Sequence, residues 1–160
     1  MSVKSNNITQ SGTVSVFSQK VTDYKLLVKL RLSLTVVFSS LMAFLIASPA
    51  GALRWFDVAL LALGGFFVTA AANALNQVLE KDYDKLMTRT ENRPLAAGRM
   101  SVSEAVLLSG FMSLVGITIL ALFNPWASSF GMLALVLYAF VYTPFKRIGP
   151  VAVVIGAVPG

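Results

Sequence analysis

The chain has 160 residues, of which 56% are hydrophobic and 12% charged, with a mean hydropathy of +0.76 and a formal net charge of +6. Average soluble domains carry about 25% charged residues, so this composition excludes a disordered chain and argues against a water-soluble globule. Cys and His are both absent, which excludes a disulfide framework, a thiolate nucleophile and a Cys/His metal centre within these residues. A haem iron would find no His or Cys ligand here, and nothing argues for Met87 in that role. Any metal must be held through oxygen, which points to a hard cation such as Mg2+.

In chain order, residues 1–25 are polar, rich in Ser, Thr and Asn, and without helical periodicity. They are expected to form a mobile cytoplasmic tail. The apolar run that follows is longer than the core of a secretory signal, so it is not expected to be removed. Uncharged stretches then recur: 22 residues between Arg31 and Arg54, 22 between Asp57 and Glu80, and 41 between Glu104 and Lys146, the last interrupted by Asn124-Pro125. A membrane-crossing helix needs roughly 20 apolar residues. Four complete spans are therefore expected, at about 26–48, 58–79, 105–123 and 127–145. A fifth begins near Gly149, but only 13 residues follow Arg147. These cover roughly 20 Å of a core about 30 Å thick, so the sequence is expected to be an N-terminal fragment. The fold class is an all-α membrane protein, with 26–160 the N-terminal portion of a transmembrane domain.

Of the thirteen Lys and Arg residues, only Arg54 falls on one side of this arrangement; the other twelve fall on the opposite side. Basic loops face the cytoplasm, so the amino terminus is expected inside. The net charge of +6 then requires no nucleic-acid partner. The lack of an Arg-rich amphipathic presequence favours a bacterial inner membrane over a mitochondrial one. Arg31, at the mouth of the first span, is expected to snorkel to the interface, with a haem propionate as its other candidate partner.

Chemistry is concentrated in residues 73–100, NALNQVLEKDYDKLMTRTENRPLAAGRM. On a helix, Asn76, Glu80 and Asp84 stand at i, i+4 and i+8 and form one stripe. Such oxygen ligands suit Mg2+, which is commonly held by one or two carboxylates plus substrate phosphate oxygens. Asp82 lies about 200° from Glu80 on an ideal helix, so its use as a ligand requires local unwinding. Lys85, Arg89 and Arg93 follow, and arginine's planar fork matches phosphate. Pro94 and Gly98 turn the chain toward the third span, with Ser101 or Ser103 as N-cap. A plainer reading also fits: a mixed-charge loop satisfies the charge bias, and Glu80, Lys81, Asp84 and Lys85 would then be surface ion pairs worth a few tenths of a kcal/mol each. Against it, Asn73, Asn76 and Gln77 crowd three amides into the end of an apolar helix, where polar groups are costly.

The pattern Asn76-x-x-x-Glu80-x-Asp82-x-Asp84-x-x-Met87-x-Arg89-Thr90-x-x-Arg93-Pro94-Leu95-x-x-Gly98 resembles the first aspartate-rich motif of the intramembrane prenyltransferases of the UbiA superfamily. The segment from Met87 to Leu95 resembles the branch that farnesylates protohaem IX. Tyr142-Thr143-Pro144 with Lys146-Arg147 resembles that branch's junction of fourth and fifth helices. One departure stands: Glu80 occupies a position where the family has aspartate. The resemblance implies a bundle of about nine helices, with a second acidic loop beyond Gly160. It implies transfer of a farnesyl group from farnesyl diphosphate to a vinyl group of haem b, giving haem O, with haem b as substrate rather than cofactor. Asn76, Glu80 and Asp84 would be catalytic and, with Asp82, would hold Mg2+. Lys85, Arg89 and Arg93 would contact the diphosphate. Phe38, Phe44, Phe66, Phe67, Phe111, Tyr138 and Phe140 are candidate walls for a carbocation, and small residues of the second span (Gly64, Gly65, Ala70, Ala71, Ala72, Ala74) allow close helix packing. Membrane lipid and, by the same resemblance, haem A synthase or oxidase assembly proteins are candidate partners. An aromatic quinone precursor as acceptor, or a non-catalytic transport or assembly role, are the alternatives.

Overall fold

The structure, a computed structural model, describes residues 6–49, 51 and 53–143. The expected fifth span, with Lys146 and Arg147, lies outside them. Among the described residues all regular structure is helical: α1 Asn6–Leu27, α2 Leu30–Ala47, α3 Trp55–Asp84, α4 Val102–Phe123 and α5 Pro125–Val136, the last continued by a π-helical turn, Leu137–Tyr142. Four segments are long and apolar enough to cross a membrane: Leu30–Ala47, Trp55–Asp84, Val102–Phe123 and Pro125–Tyr142. They match the four expected spans. Their outer faces carry exposed Phe38, Leu63, Leu107, Phe111, Leu114, Leu122 and Phe140, as an integral multi-pass membrane protein requires.

The first expected boundary needs correction. The segment read as a mobile, aperiodic tail is helical from Asn6 onward, and the first span opens at Leu30 rather than Leu26. The chain breaks between α1 and α2 because Lys29 adopts the left-handed conformation, φ 46° and ψ 57°, at a cost of about 1–2 kcal/mol for a residue with a Cβ. Two side chains stabilise the break. The Gln77 amide donates to the carbonyls of Leu26 and Leu27, both at 2.8 Å, satisfying acceptors that a helix end leaves open. The Ser33 hydroxyl donates to the Val28 carbonyl at 2.7 Å.

Contacts along the helices give their directions. Asn73 of α3 donates to Ser33 of α2 at 3.2 Å, while Val37 of α2 approaches Gly65; the indices run oppositely, so the two helices are antiparallel. Gly64 meets Leu120 and Gly116 meets Val68, again antiparallel. The α4–α5 turn is built by Asn124, whose Oδ1 accepts from the Trp126 and Ala127 amides, and by Pro125 at the first helical position, where a missing N–H costs nothing. Ser101 caps α4 by accepting from the Glu104 amide at 3.1 Å, which decides between the two expected caps.

The α3–α4 seam is the tightest in the bundle. A Cβ placed on Gly116 would stand 2.8 Å from the Val68 backbone nitrogen, and one on Gly64 would stand 2.8 Å from Leu120 Cγ. Backbone cannot yield as a flexible side chain can, and forced overpacking costs about 1–3 kcal/mol. Gly116→Ala is therefore expected to destabilise by that amount, whereas Gly110→Ala, with nothing within 4 Å of its Cβ, should be neutral or stabilising by up to about 1 kcal/mol. Thermal unfolding of both variants in detergent checks the contrast.

At 1.5 Å per residue, the 30 residues of α3 extend about 45 Å, against a hydrocarbon core of about 30 Å. Its last turns project beyond the apolar layer and carry the candidate site.

Candidate prenyl-diphosphate site

The stripe expected on α3 is present. Asn76, Glu80 and Asp84 are all buried, with 2%, 6% and 5% of their surface exposed. Asn76 Nδ2 donates to Glu80 Oε2 at 2.9 Å, so the carboxamide steadies the carboxylate one turn on. Its other end is held too: the Thr143 hydroxyl lies 3.0 Å from Asn76 Oδ1. The π-helical turn sets this contact, because its wider winding shifts the register of α5 just before Thr143.

Beyond α3 the chain returns through irregular turns over 85–101. Thr90, Pro94, Leu95, Ala96 and Met100 are buried in this return, and Gly98 makes its reversal at φ 71°, where a Cβ would be strained. The Thr90 hydroxyl donates to the Asp84 carbonyl at 3.0 Å. Arg93 Nη1 stands 2.8 Å from both carboxylate oxygens of Asp84. A cavity of about 370 Å³ is lined by Glu80, Tyr83, Asp84, Met87, Arg89, Thr90 and Arg93. Two buried carboxylates thus share one cavity with two guanidinium groups.

The remaining expected residues are placed otherwise. Asp82 has a side chain 70% exposed and pairs with exposed Lys85 at 3.4 Å; neither lines the cavity. The helix stays regular through Asp84, so the unwinding that Asp82 needs is absent. Of the three amides, Asn76 belongs to the site, whereas Asn73 ties α3 to α2 and Gln77 caps α1. Among the described residues Gln77 Oε1 has no partner although it is buried. Among the candidate wall aromatics, Phe38, Phe111 and Phe140 point outward, and Phe44 packs edge-on against Phe123. Tyr138 lines a cavity of about 190 Å³ with Val68, Ala72, Asn73 and Leu135. Sequence reasoning singled out Thr143 within a motif but assigned it no role; its signal is a hydroxyl beside Pro144 at the end of an apolar run.

The site is braced by α1. Asp23, almost wholly buried, accepts from Arg99 Nε at 2.9 Å, and Arg99 also donates to the Asn92 carbonyl at 2.8 Å. Lys20 and Tyr24 both contact Glu104, at 3.3 and 2.6 Å. The hydrogen bond to that carboxylate raises the Tyr24 phenol above its ordinary pKa.

Among the described residues no three acidic side chains converge as a complete metal cage. The donor set is two carboxylates, Glu80 and Asp84, in a cavity also lined by Arg89 and Arg93. That is the fit Mg2+ makes when a substrate's phosphates complete its shell.

Comparison with known proteins agrees with this geometry. The profile of the UbiA prenyltransferase family matches residues 36–160. The chain is 39% identical over 156 residues to protoheme IX farnesyltransferase of Christiangramia forsetii, covering 98% of this chain and 50% of that protein. It is 43% identical over 139 residues to that of Flavobacterium psychrophilum, covering 86% and 46%, and 37% identical over 133 residues to the mitochondrial protein of Arabidopsis thaliana, covering 82% and 31%. The chain spans about half the length, or less, of these curated relatives. A solved structure described as digeranylgeranylglyceryl phosphate synthase in membranes superposes with a TM-score of 0.75 at 20% identity, over 88% of this chain and 51% of that one; it shows the shared fold. The matched profile, the helical bundle and the acidic stripe lead to one conclusion: the chain belongs to the UbiA prenyltransferase family.

Proposed function

We propose that the protein encoded by the complete reading frame transfers a farnesyl group from farnesyl diphosphate to a vinyl group of haem b, with diphosphate released and water adding, with loss of a proton, to the vinyl carbon left cationic, giving haem O. The observation that carries this reading is the pairing of buried Glu80 and Asp84 with Arg89 and Arg93 around one cavity, in a chain about 40% identical to protoheme IX farnesyltransferases.

Ionising an allylic diphosphate leaves negative charge on the departing oxygens, and the site's task is to neutralise it. Glu80 and Asp84 would hold Mg2+, which supplies Lewis-acid neutralisation of the diphosphate when bound. Asn76 keeps the Glu80 carboxylate oriented, and Thr143 keeps Asn76 oriented. Arg93 now rests on Asp84; a diphosphate entering the cavity competes for that guanidinium, so its binding and the exchange of Arg93 from carboxylate to phosphate are coupled. Arg89, lining the same cavity, adds a second fork. Asp82 and Lys85 remain a solvent-exposed pair outside this exchange. Removal of divalent cations with a chelator is expected to abolish farnesyl transfer by the reconstituted complete protein, and added Mg2+ to restore it; turnover unchanged by chelation would overturn the metal assignment.

We further propose that the site end of the bundle faces the cytoplasm of a bacterial inner membrane. Lys25, Lys29, Arg31, Lys81, Lys85, Arg89, Arg93 and Arg99 gather there and Arg54 stands at the other end, the distribution expected of cytoplasmic loops. Because these residues include no Cys, single cysteines at exposed Ser18 and Pro49 test this. In intact cells a membrane-impermeant maleimide should label the Pro49 position and spare the Ser18 position; the reverse pattern would invert the orientation.

A further inference from the structure

The left-handed break at Lys29 turns α1 away from the axis of α2 and opens a cleft of about 670 Å³ against the return segment. Five cations line it: Lys25, Lys29 and Arg31 from the break, Arg89 and Arg93 from the return. Among the described residues no acidic one lines it. Lys25, Arg31 and Arg89 make no side-chain hydrogen bond or ion pair with any described residue. Of the nearby acids, Asp23 is engaged with Arg99 and Glu104 with Lys20, both away from the cleft, while Asp84 holds Arg93 at its edge. Lys25, Arg31 and Arg89 thus line one cleft without a counter-charge among the described residues; like charges so placed repel one another, and an anion seated between them would relieve that repulsion.

The cleft is also amphiphilic. Leu26, Leu30 and Leu32 form its apolar wall, and its volume lies within the roughly 300–1,000 Å³ of small-molecule sites. A free inorganic anion has no use for such a wall. Arg89 and Arg93 line both this cleft and the carboxylate cavity, so the two compartments adjoin across those two side chains.

We propose that this cleft seats the acceptor by its two carboxylates, with the propionate pair of haem b between Lys25, Lys29 and Arg31 and the macrocycle's apolar body against the leucine wall. This rests on the haem-farnesylation reading above. It assigns Arg31 to a ligand rather than to the membrane interface, and it places the acceptor on the opposite side of Arg89 and Arg93 from the diphosphate.

The test is equilibrium binding of haem b and of its dimethyl ester to the complete protein in neutral-lipid nanodiscs, followed by Soret absorbance, with wild type, Arg31→Gln, Lys25→Gln and Arg31→Lys. Charge-assisted hydrogen bonds of this kind are worth about tenfold in affinity or more. Each Gln variant should weaken haem binding about tenfold, Arg31→Lys should restore most of it, and the ester should bind weakly and equally to all four. Ester binding as tight as haem binding, or a Gln variant that weakens farnesyl diphosphate as much as haem, overturns the assignment. Displacement of haem by anionic phosphatidylglycerol, with ester and haem alike, would make the cleft a lipid-headgroup site instead. Wild-type turnover separates this inference from the reading it rests on. Farnesylated haem formed by a protein whose Gln variants bind haem normally defeats the cleft alone. Carboxylate-dependent binding without any farnesylated haem defeats the reaction alone.

Discussion

Asp84→Asn is expected to lower farnesyl transfer by the complete protein by about 10²- to 10³-fold, the range found when one preorganised charge-stabilising group is removed from an active site. The substitution keeps the shape of the side chain and the Thr90 contact, which is made to the backbone carbonyl. It removes two things together: a carboxylate facing the cavity and the partner that holds Arg93 through both oxygens at 2.8 Å. Removing one partner of that partly buried ion pair should cost about 3 kcal/mol of stability, which leaves a protein of ordinary stability, about 5–15 kcal/mol, almost wholly folded. Single-turnover assays alongside thermal unfolding in detergent separate the effects. Full activity in Asp84→Asn would contradict the assignment of Asp84 to the diphosphate site.

Asp23→Asn is the second large effect, and it acts on stability. The Asp23 side chain is 3% exposed and that of Arg99 33%. Removing one partner of a buried ion pair costs about 3–5 kcal/mol, and Arg99's remaining contact with water places this case near 3 kcal/mol. The loss should be local as well as global. Arg99 also donates to Asn92, in the return segment that carries Arg89 and Arg93. Hydrogen exchange of residues 85–101 should therefore rise in Asp23→Asn more than that of the α3–α4 seam. Equal protection of both regions in wild type and variant would show that α1 does not brace the return segment.

These two residues also mark how much was legible in the sequence. Asp84 was visible because it belongs to a local pattern: residues four apart share a helix face, and uncharged runs of fixed length locate the helix that carries them. The four spans were legible for the same reason, since length and apolarity alone decide a crossing. Asp23 was not visible. Its partner lies 76 positions away, in a segment with no apolar periodicity, so nothing local signals that residues 6–27 form a helix docked on the site. The break at Lys29 was hidden by a similar cause. The left-handed residue is a lysine rather than a glycine, and the group that stabilises it, Gln77, is some fifty positions downstream. The amide crowding on α3 was visible, but only contacts divide it: Asn76 steadies Glu80, whereas Asn73 and Gln77 tie α3 to α2 and α1. Asp82 and Lys85 differ from these: their residue types suit the chemistry, and the structure leaves both exposed and paired with each other.

Glu80, Asp84, Arg89 and Arg93 are proposed as the diphosphate half of a site that prenylates haem. The most direct measurement is mass spectrometry of the products formed by the complete protein in liposomes, supplied with farnesyl diphosphate, Mg2+ and an equimolar mixture of haem b and an aromatic quinone precursor. The account predicts a farnesylated haem that disappears in Asp84→Asn, with the aromatic acceptor unchanged. A farnesylated aromatic product beside unmodified haem would contradict it.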